Sequence, residues 1–374
     1  SLKSWMQTLH RILLGCCFKV HQSSQTASNL KEMNQTELVE FLLLGFQELQ
    51  MFKAVVIVIF LLVYIFTLVV NILIIILVTT VESLQSPMYL FLSQVSLSDI
   101  LMTTIITPNM IHVIIIGGSK ISIGGCITQF YFYGASTGTE LLLFMVMSYD
   151  RYLAICNPLH YSSIMNYRLS FHLVLWSWIF SSTIMFILVF LIANLQFCGS
   201  DNIDHYFCDL APLLEMSCSD NTFIELLDML LTIIFGIIPF VFILFTYICI
   251  SITIAGIPST SGKQKAFSTC SSHLTVVCMY YGTIILVYTI PSKGRLFNIK
   301  KMLSTLYTIG TPFFNPIIYS FRNQEIKIAL IKHVTNWGDC LGGQGYTRSQ
   351  IIIKGFCFVT SEMRDDPAVR RLLT

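Results

Sequence analysis

The sequence predicts an all-α membrane protein: a bundle of seven transmembrane helices, with a short inner-face helix after the seventh span. Three observations predict it. The 374 residues are 55% hydrophobic and only 11% charged, with a mean hydropathy of +0.73, whereas a soluble domain carries about 25% charged residues. Apolar runs recur at the length that crosses a hydrocarbon core about 30 Å thick, roughly 20 residues. They also follow one another too closely to form two soluble cores.

The first run, 54–78, lies uninterrupted between Lys53 and Glu82. The next six are 88–112, 126–147, 171–193, 223–252, 267–290 and 302–321. Pro108, Pro239, Pro312 and Pro316 fall in or near spans, where neighbouring helices can satisfy the backbone groups that proline frees. Seven spans, an odd count, place the two ends on opposite sides. With the N-terminus outside, the inner segments hold Arg151, Arg168, Lys263, Lys265, Arg322, Lys327 and Lys332. The outer loops hold Lys120, Lys293, Arg295, Lys300 and Lys301, so the excess of inner cations is slight. Two further features favour the same orientation. Asn34-Gln35-Thr36 is a glycosylation sequon, meaningful only on the lumenal side. Cys126, Cys198, Cys208 and Cys218 share that side, where disulfides persist. A net charge of +2 gives no reason to expect a nucleic-acid partner. No nucleotide-binding glycine loop or Ser/His/Asp arrangement stands out, so no enzyme is expected and no catalytic residue is assigned.

Isolated acids at membrane depth are costly and normally face the bundle interior or a water-filled cavity. Asp99 and Glu140 are two such acids, and Asn71 and Asn315 from the first and seventh spans could line a polar pocket with them. A hydrogen-bonded structural cluster with one acid protonated is the other reading. At the inner end of the third span stands Met147-Ser148-Tyr149-Asp150-Arg151-Tyr152. An arginine snorkelling to the headgroups would also account for the Asp-Arg pair.

Together with Pro87-Met88-Tyr89-Leu90-Phe91-Leu92, Leu97-Ser98-Asp99, the stretch from Lys265-Ala266-Phe267 to Ser272-His273-Leu274, and Pro312-Phe313-Phe314-Asn315-Pro316-Ile317-Ile318-Tyr319, that segment resembles the odorant receptors of the rhodopsin-like (class A) G-protein-coupled family. The resemblance covers residues 33–334. Val70 before Asn71 and Leu90 depart from its usual pattern, as does the Pro258-Ser259-Thr260-Ser261 loop, without removing a motif residue.

What the resemblance implies is an odorant receptor of the plasma membrane, N-terminus extracellular and C-terminus cytoplasmic. It would bind a small, mostly apolar volatile ligand and activate the stimulatory olfactory heterotrimeric G protein, raising cyclic AMP. Coupling and activation would fall to Asp150, Arg151, Tyr152, Lys265, His273, Asn315, Pro316 and Tyr319. In the resting state Arg151 could pair with Asp150; outward movement of the sixth helix would open a groove for a G-protein helix. The Asn71, Asp99, Glu140 and Asn315 core would repack on activation, and a sodium ion could sit there; no other cofactor is expected.

Helical spacing puts Tyr133 and Thr137 on one face of the third span, with Phe130 and Gly134 beside them. Tyr281, Ile284, Ile285 and Tyr288 share a face of the sixth span, as Thr305 and Thr308 do in the seventh. By resemblance these faces correspond to ligand-pocket positions; interhelix packing is the competing reading. Four outer cysteines allow three pairings, of which the resemblance implies Cys126–Cys208 and Cys198–Cys218. His205, Cys208 and Asp209 include metal-ligand chemistry, but a disulfide would remove the Cys208 thiolate, so no metal site is expected. Residues 1–32 read as an atypical N-terminal extension, disordered or a gene-model artefact, and residues 335–374 as an atypical cytoplasmic tail. Two alternatives remain: a rhodopsin-like receptor for a non-odorant ligand, and a channel or transporter whose ion path uses the intramembrane acids.

Overall fold

The computed structural model describes residues 40–198, 201–289, 296–323 and 325–330; side chains at 48–50, 261, 265–269, 287–289, 296–298, 300 and 321–322 are not described. The described residues up to Ile326 form one compact unit, and residues 327–330 belong to a second.

Four helical segments, Lys53–Thr80, Pro87–Ile116, Tyr167–Ala193 and Thr222–Gly256, are each long and apolar enough to cross a membrane. Their outward faces stay apolar: Val55, Val58, Leu62, Trp176, Phe186, Phe190 and Phe245 are all exposed, a surface suited to lipid and not to water. The first two are α1 (Lys53–Thr80) and α2 (Pro87–Ile116), and α3 covers Ile123–Cys156. Short α4 (Pro158–Ile164) precedes α5 (Tyr167–Ala193), and short α6 (Leu210–Glu215) precedes α7 (Thr222–Leu231). A π-helical turn, Thr232–Ile237, joins α7 to α8 (Ile238–Gly256). Then come α9 (Thr260–Thr289) and α10 (Leu296–Thr305), and a second π turn, Leu306–Gly310, leads into α11 (Thr311–Arg322). Helical backbone resumes at Glu325.

Local chemistry sets the boundaries. Pro87 occupies the first turn of α2, where its missing N–H costs nothing. The same helix ends at Gly117, whose φ of +84° suits a residue with no Cβ. Ser122 caps α3 by accepting from the Gly125 N–H, and Asn166 caps α5 by accepting from the Leu169 N–H.

Helix α3 is the central post, packing on α2, α5 and α8, while α11 packs on α9, α1 and α2. Close approach of α3 and α5 depends on Gly138. A Cβ there would collide with Ser181 Oγ, which donates to the Ala135 carbonyl at 2.9 Å, and would press on the Phe235 ring. Gly138→Ala should therefore lower stability by about 1–3 kcal/mol, the usual cost of overpacking, read as a drop in the thermal midpoint of the purified protein. An unchanged midpoint would show that Ser181 turns away at no cost.

One end of the bundle carries a three-stranded sheet that the sequence reading did not anticipate. Its centre is β1 (Glu40–Leu43), antiparallel to β2 (Ser119–Ser122) in the register Glu40↔Ser122 and Leu43↔Ser119, and parallel to β3 (Asn202–Ile203). Cys126–Cys208 ties the start of α3 to the segment after β3, and Cys198–Cys218 closes that loop on itself. Lys301, read from sequence as a loop cation, is instead buried in α10. Its Nζ donates to the Gly45 carbonyl at 2.9 Å and meets Asp204 Oδ1 at 2.5 Å. The helix begins at Leu296, earlier than the apolar run, and carries the lysine inward against the loop.

Candidate functional site

Three polar clusters lie along the bundle axis. Asp150 and Arg151, near the end opposite the sheet, are held by the last two turns of α3. Arg151 is 9% exposed; its Nε donates to Asp150 Oδ2 at 2.9 Å, and its Nη2 closes on the same oxygen. The other carboxylate oxygen accepts from Tyr161 OH of α4 at 2.8 Å. Burial and the neighbouring carboxylate push the Tyr161 phenol above its ordinary range, so it keeps the proton it donates. Tyr152 is half-buried, with its ring beside Tyr149. His273, fully buried in α9, places Nδ1 2.7 Å from Tyr247 OH, and its ring lies edge-on to Phe144. Lys265 lies in α9, but its side chain is outside the described residues.

Midway along, Asn315 Nδ2 bridges two acids from different helices: Asp99 Oδ1 at 3.1 Å and Oδ2 at 3.3 Å, and Glu140 Oε1 at 2.9 Å. Asn71, placed with them by the sequence reading, donates instead to the Thr67 and Pro312 carbonyls. Its contact is with the backbone of α11, beside the cluster. Pro316 is buried, and so is Tyr319. Among the described residues, Glu140 Oε2, Asn71 Oδ1, Asn315 Oδ1 and Tyr319 OH are buried without a hydrogen-bond partner. Such groups are rare, because desolvation without a replacement bond is costly. Three of the four are oxygen acceptors of the kind that a hard cation prefers. No group of three or more His, Cys, Asp or Glu among the described residues is placed to hold a metal ion.

Toward the sheet end, the predicted pocket residues divide. Phe130 is buried, Tyr133 meets Phe207 edge-on with ring centroids 5.2 Å apart, and Gly134 faces the Met185 side chain of α5. Thr137 Oγ1 and Tyr281 OH are buried and have no partner among the described residues. The Tyr281 ring packs on Phe240. Ile284 is half-buried, whereas Ile285 is 43% exposed and stands apart from the others. The Tyr288 side chain is outside the described residues, as is Asn34. Thr305 bonds the Lys301 carbonyl, and Thr308 bonds both the Ser304 carbonyl and Tyr206.

Several contributors escaped the sequence reading. Tyr206 and Phe207 reach into the bundle from the loop before α6, and Gln129 Oε1 accepts the Cys208 N–H. Their signal was adjacency to Cys208, whose bond to Cys126 pins this loop over the helices. At the opposite end, Leu159 on α4 is 91% exposed. Tyr89 OH bonds Asn323 Oδ1 at 3.1 Å and Glu325 Oε2 at 2.7 Å, fastening α2 to the segment after α11.

The family described as olfactory receptor matches residues 60–336 of this chain. The chain is 41% identical over 303 residues to human olfactory receptor 10A3, covering 81% of this chain and 96% of that protein. Human olfactory receptor 6B1 is 41% identical over 299 residues, covering 80% and 96%. Mouse olfactory receptor 1M1 is 42% identical over 303 residues, covering 81% and 97%.

Proposed function

The chain belongs to the olfactory receptor family, and from that premise we propose that this multi-pass membrane protein is an odorant receptor that signals through the stimulatory olfactory G protein and cyclic AMP. It would cross the plasma membrane seven times, with the sheet end extracellular and the Arg151 end cytoplasmic.

The observation that carries the reading is the Asp150–Arg151–Tyr161 cluster. It holds a buried guanidinium beneath a short helix that presents an exposed Leu159. A buried charge with one principal partner makes a two-state element: the pair can stay closed, or Arg151 can leave Asp150 for a docking helix. Leu159 supplies an apolar anchor at the same end, and a protein partner's groove would cover it. At the sheet end, the partnerless hydroxyls of Thr137 and Tyr281 lie among aromatic and aliphatic side chains. They fit a small, mostly apolar ligand with one polar group.

The middle cluster would couple the two ends, since Asn315 on α11 holds acids of α2 and α3 together. A sodium ion fits the donor chemistry there; Asp99, Glu140 and Asn315 would hold it, and it would supply positive charge between the carboxylates.

The test is odorant-evoked cyclic AMP in cells that display the chain, beside matched cells lacking the stimulatory α subunit. A response that vanishes in the second line is expected. A response retained there, or an ion current independent of any G protein, would overturn the coupling and return the channel reading.

A further inference from the structure

The loop between β3 and α6 places Tyr206 fully inside the bundle, with its hydroxyl 3.1 Å from Ser304 Oγ and 2.9 Å from Thr308 Oγ1. A serine or threonine hydroxyl has one proton, which it can turn toward any acceptor in reach. Ser304 Oγ also lies 2.7 Å from the Lys301 carbonyl, and Thr308 Oγ1 lies 2.9 Å from the Ser304 carbonyl. The phenol has one proton for two partners, so it donates to one of them and can accept from the other. Burial pushes that phenol up to about 12, so it keeps its proton. Two flat groups stack against the ring: Phe46 at 5.2 Å, and His205 at 4.6 Å with its Nε2 3.4 Å from Ser304 Oγ.

We propose that Ser304 and Thr308, walled by Phe46 and His205, form a hydroxyl-selective subsite for phenols and compact alcohols, which the chain's own Tyr206 fills. A ligand hydroxyl can donate to one oxygen and accept from the other. An ether, ketone or ester of the same shape can accept from one and has no proton for the other. The native odorants of this chain would accordingly be hydroxyl-bearing, competing with Tyr206 for this pair. That last statement rests on the receptor reading; the subsite itself does not.

The test needs no signalling. Full-length Tyr206→Ala, purified in detergent, opens the space that the phenol leaves, and 4-methylphenol has the shape of the missing side chain. It should raise the thermal midpoint of Tyr206→Ala with an apparent affinity about three- to tenfold better than toluene or 4-methylanisole, the worth of one neutral hydrogen bond. It should leave the Tyr206→Phe midpoint unchanged, because the ring still fills the site. Adding Thr308→Val should shrink the preference for the phenol, because only Ser304 Oγ then remains as a partner. Equal stabilisation by all three probes would overturn the proposal. Should Tyr206→Ala fail to fold, a double-mutant cycle of Tyr206→Phe and Thr308→Val decides. Non-additive midpoints support the bond, and additive ones remove it. A failed thermal shift thus sinks the subsite, while a failed cyclic AMP response sinks the receptor reading.

Discussion

Replacing Arg151 with alanine is expected to bring ligand-evoked cyclic AMP to background while the protein still reaches the cell surface. The guanidinium is almost fully buried against Asp150, and its release from that pair is the step the proposed docking groove requires. Losing one partner of a buried, hydrogen-bonded charge pair at an interface costs about 2–5 kcal/mol, roughly thirty-fold to several thousand-fold in partner affinity. The substitution also strips Asp150 of its cation, which by itself can destabilise the fold. Tyr161 still donates to that carboxylate and softens the loss. Surface staining separates the two effects: unchanged display with absent signal is the expected pair of results. A normal response would mean that the partner does not use Arg151.

The second large effect belongs to the Cys126–Cys208 bond. It closes a loop of sequence separation 82, for which the chain-entropy account gives about 4–5 kcal/mol. Cys198–Cys218, with separation 20, is worth about 3 kcal/mol on the same account. Replacing Cys126 and Cys208 together by serine should therefore remove most surface protein, and replacing the second pair should remove less. The first bond also positions Tyr206 and Phe207, two residues and one residue before Cys208. Should the two double variants reach the surface equally, the loop would owe its place to Lys301 and the sheet and not to the covalent tie.

Four spans were legible because a long apolar helix leaves a composition signal that needs no knowledge of neighbours. Helix ends were not. Helix α9 starts at Thr260, ahead of the apolar run at 267, and α3 runs on to Cys156 past the last apolar stretch. Both extensions carry more polar residues than the apolar runs they continue, so hydropathy does not mark them as helix. The π turn at Thr232–Ile237 sits in sequence that is apolar throughout, so no period marks the extra residue per turn. Strands of four, four and two residues are too short to announce themselves, and each finds its partner far along the chain.

Within the candidate site, Asp99 and Glu140 stood out as charges at membrane depth, and Arg151 as part of a motif. That Asn315 would bridge both acids while Asn71 turned to backbone carbonyls depended on distances between helices. Lys301 was misplaced for the same reason: a charge counts as a loop residue until a partner such as Asp204 is seen to draw it inside.

The placement of β1 at the centre of its sheet has a consequence for biogenesis. This strand leaves the ribosome first, yet its antiparallel partner begins at Ser119 and its parallel partner at Asn202. At about 5–20 residues per second, roughly four to sixteen seconds pass before β2 is made and roughly eight to thirty-two before β3, by which time α1 to α5 are complete. The sheet therefore cannot be completed until α2, α3 and α5 have been made, while α6 to α11 are still to come. For that interval the nascent chain exposes an unpaired strand edge, a template for unwanted pairing.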